Sequence, residues 1–266
     1  MSKISDQIKN NSAPLMVLLL IAAAFFIGRL SAQVESLKNG AATQPTQQAA
    51  GDQQPAKPTV SMDTIKGLFG QDLVKFGDAN KKVLFVEVSD PSCPYCHAAA
   101  GLNGELNKEI GSQFTLVSDG GTYLAPVAEM KKLLDQNKVG YVWIYSNGHG
   151  NGEMGAKALY CANEKGKFWD VHSLLFTAAG YELVNTTVKN DVSKASVVAD
   201  FLAKAVDKNF MTSCLSSDKY KDRLGKDIAV AQSLGVQGTP GFFVNTTNYP
   251  GAVSFNDMKS VVDAAL

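Results

Sequence analysis

The sequence predicts an α/β protein whose sheet is interrupted by an all-helical insertion and preceded by an apolar anchor and a polar linker. Three observations carry this. Short β-branched apolar runs alternate with amphipathic segments between residues 83 and 146. Residues 153–234 show helical periodicity and no strand-like run. Strand-like runs then return at "GFFVN", so the sheet is completed after the insertion.

The elements follow in order. No residue from Asn10 to Gly28 is charged, and Leu15 to Ile27 is an unbroken apolar run between Lys3 and Lys9 on one side and Arg29 on the other. Such a stretch, helical, spans about 28 Å, close to a hydrocarbon core of roughly 30 Å. A cleavage site after Ala32 would place bulky Leu30 where a small residue is preferred, so residues 1–30 are expected to be an uncleaved anchor, with a secreted, cleaved form as the alternative. Lys3 and Lys9 balance Arg29 and Lys38, which leaves orientation open. Residues 31–60 are rich in Gln, Ala, Pro and Thr and lack aromatics, the composition of a disordered linker.

The folded region is expected at 61–152 and 235–266, with the helical domain at 153–234 between them. "KKVLFVEVSD" reads as a strand buried on both faces, and Cys93 to about Ile110 as one helix. "FTLVS" and "VGYVWIYS" are further strand candidates, and "APVAEMKKLLDQNK" is a helix with Pro126 in its first turn. In the insertion Phe168, Val171, His172 and Leu175 share one helical face, and Phe168, Trp169 and Phe176 read as core. "GFFVN" and "GAVSF" return to strand before a closing helix from about Asn256 to Ala265.

Charge narrows the functional classes. Lys plus Arg and Asp plus Glu both total 25 in 266 residues, so the chain has no electrostatic footprint for nucleic acid.

The chemistry concentrates in Cys93-Pro94-Tyr95-Cys96. Cys93 falls where a strand ends and a helix begins, and Pro94 suits the first helical position because its missing N–H would have no partner there. A Cys93 thiolate would face free backbone N–H groups and the positive end of the helix dipole, which lowers its pKa and makes it a better leaving group. Cys96, one turn inward, is placed to resolve a mixed disulfide. Zinc would need a second ligand pair, but Cys161 and Cys214 stand apart and His97, His149 and His172 show no zinc spacing. No metal and no bound cofactor are expected. His97 reads as a solvated first-turn histidine and His149, in "NGHGNG", as loop.

Three runs in order, "VLFVEVSDPSCPYCH", "ALYCANEKGKFWDVHSLLF" and "GVQGTPGFFVN", resemble the DsbA family of thioredoxin-fold thiol-disulfide oxidoreductases, especially its bacterial membrane-anchored or secreted branch. The resemblance implies a thioredoxin-like fold with an inserted helical domain. It implies that Thr239-Pro240 is a cis-proline loop that meets the disulfide and the substrate, with Pro94 and Tyr95 contributing to substrate contact and redox tuning. Glu87, six residues before Cys93, corresponds to a buried acid that exchanges a proton as Cys96 changes state. A carboxylate in an apolar strand should have a raised pKa, as that role needs. Cys161 and Cys214 fall where some members carry a second disulfide, and an oxidising compartment favours their pairing.

The activity so implied is introduction of disulfides into extracytoplasmic proteins. The enzyme would be a monomer held at the bacterial cytoplasmic membrane, acting on reduced substrate proteins and reoxidised by a quinone-linked membrane protein of the DsbB or VKOR type. A reductase or isomerase would use the same cysteines, and a tethered peptide-binding or chaperone module would keep them only as structure.

Overall fold

The computed structural model describes residues 60–266. The anchor expected at 1–30 and, but for Val60, the linker expected at 31–60 lie outside the described residues. No helix among the described residues is long and apolar enough to cross a membrane.

Helix α1 (Met62–Leu68) opens on Ser61, whose hydroxyl accepts the Thr64 N–H at 3.1 Å. Strands β1 (Val74–Phe76) and β2 (Val83–Ser89) follow, then α2 (Pro94–Ala100), α3 (Gly104–Glu109), α4 (Pro126–Asp135) and β3 (Val139–Tyr145). The insertion contains α5 (Glu153–Glu164), α6 (Phe168–Leu175), α7 (Ala178–Glu182), a π-helical turn at Leu183–Val188, α8 (Ala195–Phe201), α9 (Lys208–Ser216) and α10 (Lys221–Ser233). Strands β4 (Gly241–Val244) and β5 (Thr247–Pro250) and helix α11 (Phe255–Ala265) close the chain.

The sheet order is β1-β3-β2-β4-β5, with β2 and β3 parallel and the other pairs antiparallel. Both β2 and β3 are buried along their whole length, because side chains alternate between two covered faces. Leu84, Val86 and Val88 pack with Ile65, Leu68, Ala231 and Leu234 on one face. Phe85, Tyr141 and Trp143 pack on the other with α2 and the aromatic core of the insertion, where Phe168 and Phe176 are fully buried. Glu87 and Ser89 belong to this second face by alternation.

Four local expectations are corrected. "FTLVS" is not a strand: Ser112–Phe114 and Val117–Asp119 are 3₁₀ turns, and Leu116 makes only an isolated bridge to Tyr123. The edge of β3 that such a strand would need is taken by β1, a three-residue strand too short to leave a periodic signal. "GAVSF" is not a strand either. Asn245 turns the chain at φ 54°, so β5 starts at Thr247, with a two-residue turn between it and β4, and ends at Pro250, before Gly251 at φ 80°, while Ser254 caps α11 in a reciprocal box with Asp257. Strand β5 is largely exposed and polar, which hid it. The single helix expected from Cys93 to Ile110 is two, because Gly101 adopts φ 72° and lies so close to Ala125 that a Cβ would fall 2.5 Å from that residue's Cβ. His97 is the fourth.

Candidate active site

The parallel neighbours β2 and β3 end side by side, Ser89 opposite Tyr145, and the loops leaving them build the site. From β2 the chain runs through Asp90, Pro91 and Ser92 to Cys93, the N-cap of α2, with Pro94 at its start. The Cys93 N–H donates to the Asp90 carbonyl at 3.0 Å. Cys93 and Cys96 are both free thiols and both buried, whereas Tyr95 between them is 44% exposed. Opposite them lies Thr239-Pro240, a cis peptide, and the Cys93 thiol donates to the Thr239 carbonyl at 3.4 Å. The structure therefore brings together Cys93, Cys96, Thr239 and Pro240, which the sequence separates by over a hundred residues.

The two sulfurs differ in acidity. The Cys93 thiol is held down to about 6, chiefly by a hydrogen bond from Cys96. Burial opposes this, while the Thr239 hydroxyl and the Cys96 and Tyr95 N–H groups reinforce it. The helix N-terminus thus contributes as expected, but the neighbouring thiol outweighs it. Cys96 is pushed well up, first by burial and then by the Cys93 sulfur beside it, although its Sγ accepts the Asp90 N–H at 3.4 Å. Alkylation of the reduced protein should accordingly label Cys93 with a midpoint near pH 6 and leave Cys96 untouched at pH 8. Equal labelling of both by mass spectrometry would contradict this split.

Glu87 is buried under the same face, and its pKa is raised to about 7 by burial, against hydrogen bonds from Tyr141 and Ser89 that lower it. Its Oε1 and the Ser89 Oγ are buried without a well-formed partner, and Ser89 lies close enough to Cys96 to favour that thiolate as well. A raised carboxyl costs stability in a defined direction. Below an unfolded pKa of 4.5 the acid is neutral in both states, and as pH rises to about 7 the folded state loses stability by up to about 3 kcal/mol. Glu87→Gln should therefore raise the melting temperature at pH 8 and leave it nearly unchanged at pH 4. An equal effect at both pH values would mean that folding leaves the pKa of the carboxyl unshifted.

His97 is not solvated. It is fully buried, with Nε2 2.9 Å from the Pro91 carbonyl and Nδ1 3.1 Å from the Phe176 carbonyl, and burial lowers its pKa to about 4. Helix α2 is covered by the sheet on one side and by the insertion on the other, so this face meets Phe176 and Tyr181 instead of water. His149 lies on an exposed loop.

Sequence reasoning missed Asp90 and Ser89. Both sat unremarked in "VSDPSC", where a small polar pair at a strand end reads as an ordinary turn. Away from the site, Cys161 of α5 and Cys214 of α9 form a disulfide.

One acidic and one raised thiol stand together at a strand-to-helix junction, facing a cis-proline loop in a thioredoxin-like fold. A family profile described as thioredoxin matches residues 127–264, more than half of the chain, and the chain belongs to that family. The match includes the insertion and Pro240; Cys93 and Cys96 precede it.

Solved structures extend the likeness to 73% of the chain. Oxidised BdbD from Bacillus subtilis is 17% identical with a TM-score of 0.52, covering 73% of this chain and 92% of its own. Wolbachia pipientis alpha-DsbA1 is 16% identical with a TM-score of 0.53, covering 73% and 90%. Chlamydia trachomatis DsbA is 15% identical with a TM-score of 0.51, covering 73% and 91%. The fold is thus that of the DsbA proteins, a thioredoxin fold with a helical insertion. Among curated proteins, Na(+)/H(+) antiporter NhaA 3 of Salinispora tropica is 24% identical over 192 residues, 71% of this chain. NhaA 1 of Salinispora arenicola is 23% identical over the same length. The chain spans 24% of the length of these curated relatives.

Proposed function

We propose that the protein is a dithiol oxidase that introduces disulfides into extracytoplasmic proteins through Cys93 and Cys96. The observation that carries this is the difference in acidity, Cys93 near 6 and Cys96 well above the ordinary thiol value. A couple whose reduced form keeps Cys93 as a stabilised thiolate gives up its disulfide readily.

The cycle starts from the Cys93–Cys96 disulfide. A substrate thiolate attacks Cys93 Sγ, the bond to Cys96 breaks, and its electron pair leaves with Cys96. That sulfur is basic and takes a proton, which Glu87, near 7, can supply by way of the Ser89 hydroxyl. The substrate's second thiolate then attacks its own sulfur in the mixed disulfide and expels Cys93 as a thiolate. Two substrate thiols become a disulfide, and the enzyme gains two electrons. The backbone at Thr239 and Pro240, with Pro94 and exposed Tyr95, offers the peptide its contact surface. Reoxidation would return the two electrons to a quinone-linked membrane protein of the DsbB or VKOR type. An anchor at residues 1–30 would hold the domain at the outer face of the bacterial cytoplasmic membrane, where thiols are not kept reduced.

The reduction potential tests the reading. It should lie above thioredoxin's, about −270 mV. Between pH 6 and 9 only Cys96 takes a proton on reduction, so the potential should fall by about 30 mV per pH unit, half the slope expected below pH 6. A potential at or below thioredoxin's would assign the protein to reduction instead.

A further inference from the structure

Asp90 is a carboxyl with no exposed surface, and the mechanism above uses only its backbone. Its side chain accepts four hydrogen bonds. Oδ1 takes the Ser92 N–H at 2.8 Å and the Ser92 hydroxyl at 2.7 Å, and Oδ2 takes the N–H groups of Gly148 and His149, each at 2.8 Å. The first pair belongs to the loop that carries Cys93, and the second to the loop that leaves β3. Around them Asn151 N–H reaches Ser92 Oγ at 3.3 Å, and Asn185 of the π-helical turn donates to the Ser92 carbonyl at 3.1 Å.

The second loop also abuts the cis-proline loop. Gly148 lies so close to Thr239 that a Cβ there would collide with Thr239 Oγ1 and stand 2.9 Å from Thr239 Cβ. One carboxyl thus holds the segment that touches Thr239 to the segment that carries Cys93. We propose that Asp90 is a positioning residue that clamps the 146–152 loop between the nucleophile loop and Thr239, and so sets the width of the gap in which a peptide meets Cys93.

The proposal rests on the peptide-oxidase reading and predicts a particular kinetic split. A small dithiol reaches Cys93 without lying along Thr239, whereas a peptide needs both. In Asp90→Asn the side chain keeps one acceptor oxygen, and its NH2 group must face N–H donors on one side. Loosening the gap should raise the KM for a reduced dithiol peptide roughly tenfold with kcat nearly unchanged, because misplacement of a binding surface by a fraction of an ångström already costs this much.

The experiment compares wild type, Asp90→Asn and Gly148→Ala, each oxidised, with a reduced dithiol peptide and with dithiothreitol. Hydrogen exchange is followed at the Gly148 and His149 amides in the same proteins. Both variants should show the raised peptide KM and react with dithiothreitol at nearly the wild-type rate. The two amides should exchange at least about tenfold faster in Asp90→Asn than in wild type. Gly148→Ala leaves the Asp90 side chain itself unchanged and crowds Thr239 directly, so it remains decisive if Asp90→Asn does not fold. Equal slowing with both reductants, unchanged KM in Gly148→Ala, or unchanged amide exchange in a folded Asp90→Asn would each overturn the clamp. Wild type that oxidises the peptide no faster than dithiothreitol would instead overturn the oxidase reading itself.

Discussion

Cys93→Ser should abolish peptide oxidation entirely, and Cys96→Ala should stop turnover while its Cys93 thiolate, by exchange with disulfides already present in substrate proteins, holds those proteins covalently and releases one substrate thiolate for each bond formed. The asymmetry follows from the two environments. Cys93 borders the Thr239 loop and is held near 6, so it is both the sulfur a substrate reaches and the sulfur that leaves. Cys96 is fully buried and carries a raised pKa, so no external thiol attacks it, but it is the enzyme's own sulfur that can release a mixed disulfide on Cys93 when the substrate's second thiol does not. Without Cys96 that intramolecular attack, worth effective molarities of about 10⁵ M or more, is gone. The trapped species should appear on non-reducing gels of extracts as bands that vanish with reductant. Trapping through Cys96 in a Cys93→Ala protein would reverse the assignment.

Replacing Cys161 and Cys214 together by Ser should lower stability by about 4 kcal/mol, the chain-entropy value for a bridge that closes a loop of this length. The bridge joins α5 to α9 inside the insertion, with Cys161 fully buried. For a domain of this size the melting temperature should fall by roughly 8 to 16 °C. Oxidase turnover measured well below the transition should stay close to wild type, since the bridge touches none of the elements that carry Cys93, Cys96 or Thr239. Loss of turnover in a folded double variant would place these sulfurs in the electron path. An unchanged melting temperature would mean that strain in the folded state offsets the entropy gained.

Much of this was legible before any coordinates. The central strand was readable because residues 83–89 are buried on both faces and so, up to Ser89, form one apolar run broken only by Glu87. The closing helix was readable because its apolar face repeats at helical spacing, with Phe255, Met258 and Val262 buried. The edge strands were not. Strand β1 has three residues, and β5 lies largely in water, so neither needs the alternation that marks a strand. "FTLVS" shows the converse: its residues suit a strand, but β1 occupies the edge it would have joined.

The site divides along the same line. Cys93, Pro94 and Cys96 are a local pattern, in which a helix start and its first turn are set within four residues, and the sequence determined their order. The acidity of Cys93 is set chiefly by Cys96 in the same turn, whereas the burial that raises Cys96 and Glu87, and some of their partners, come from elsewhere in the chain. Thr239 comes from beyond the insertion to meet Cys93, and Tyr141 comes from the neighbouring strand to meet Glu87. Phe176 comes from the insertion to bury His97, which read alone belonged in water. Asp90 is the extreme instance. As sequence it is an acid in a turn that Ser92 can serve locally, and its other two bonds exist only because parallel β2 and β3 end together and bring the Gly148 and His149 amides against it. Periodicity and capping act over a few residues, so the chain itself carries them; burial and hydrogen-bond partners are set by packing between distant segments, and only the tertiary structure decides them.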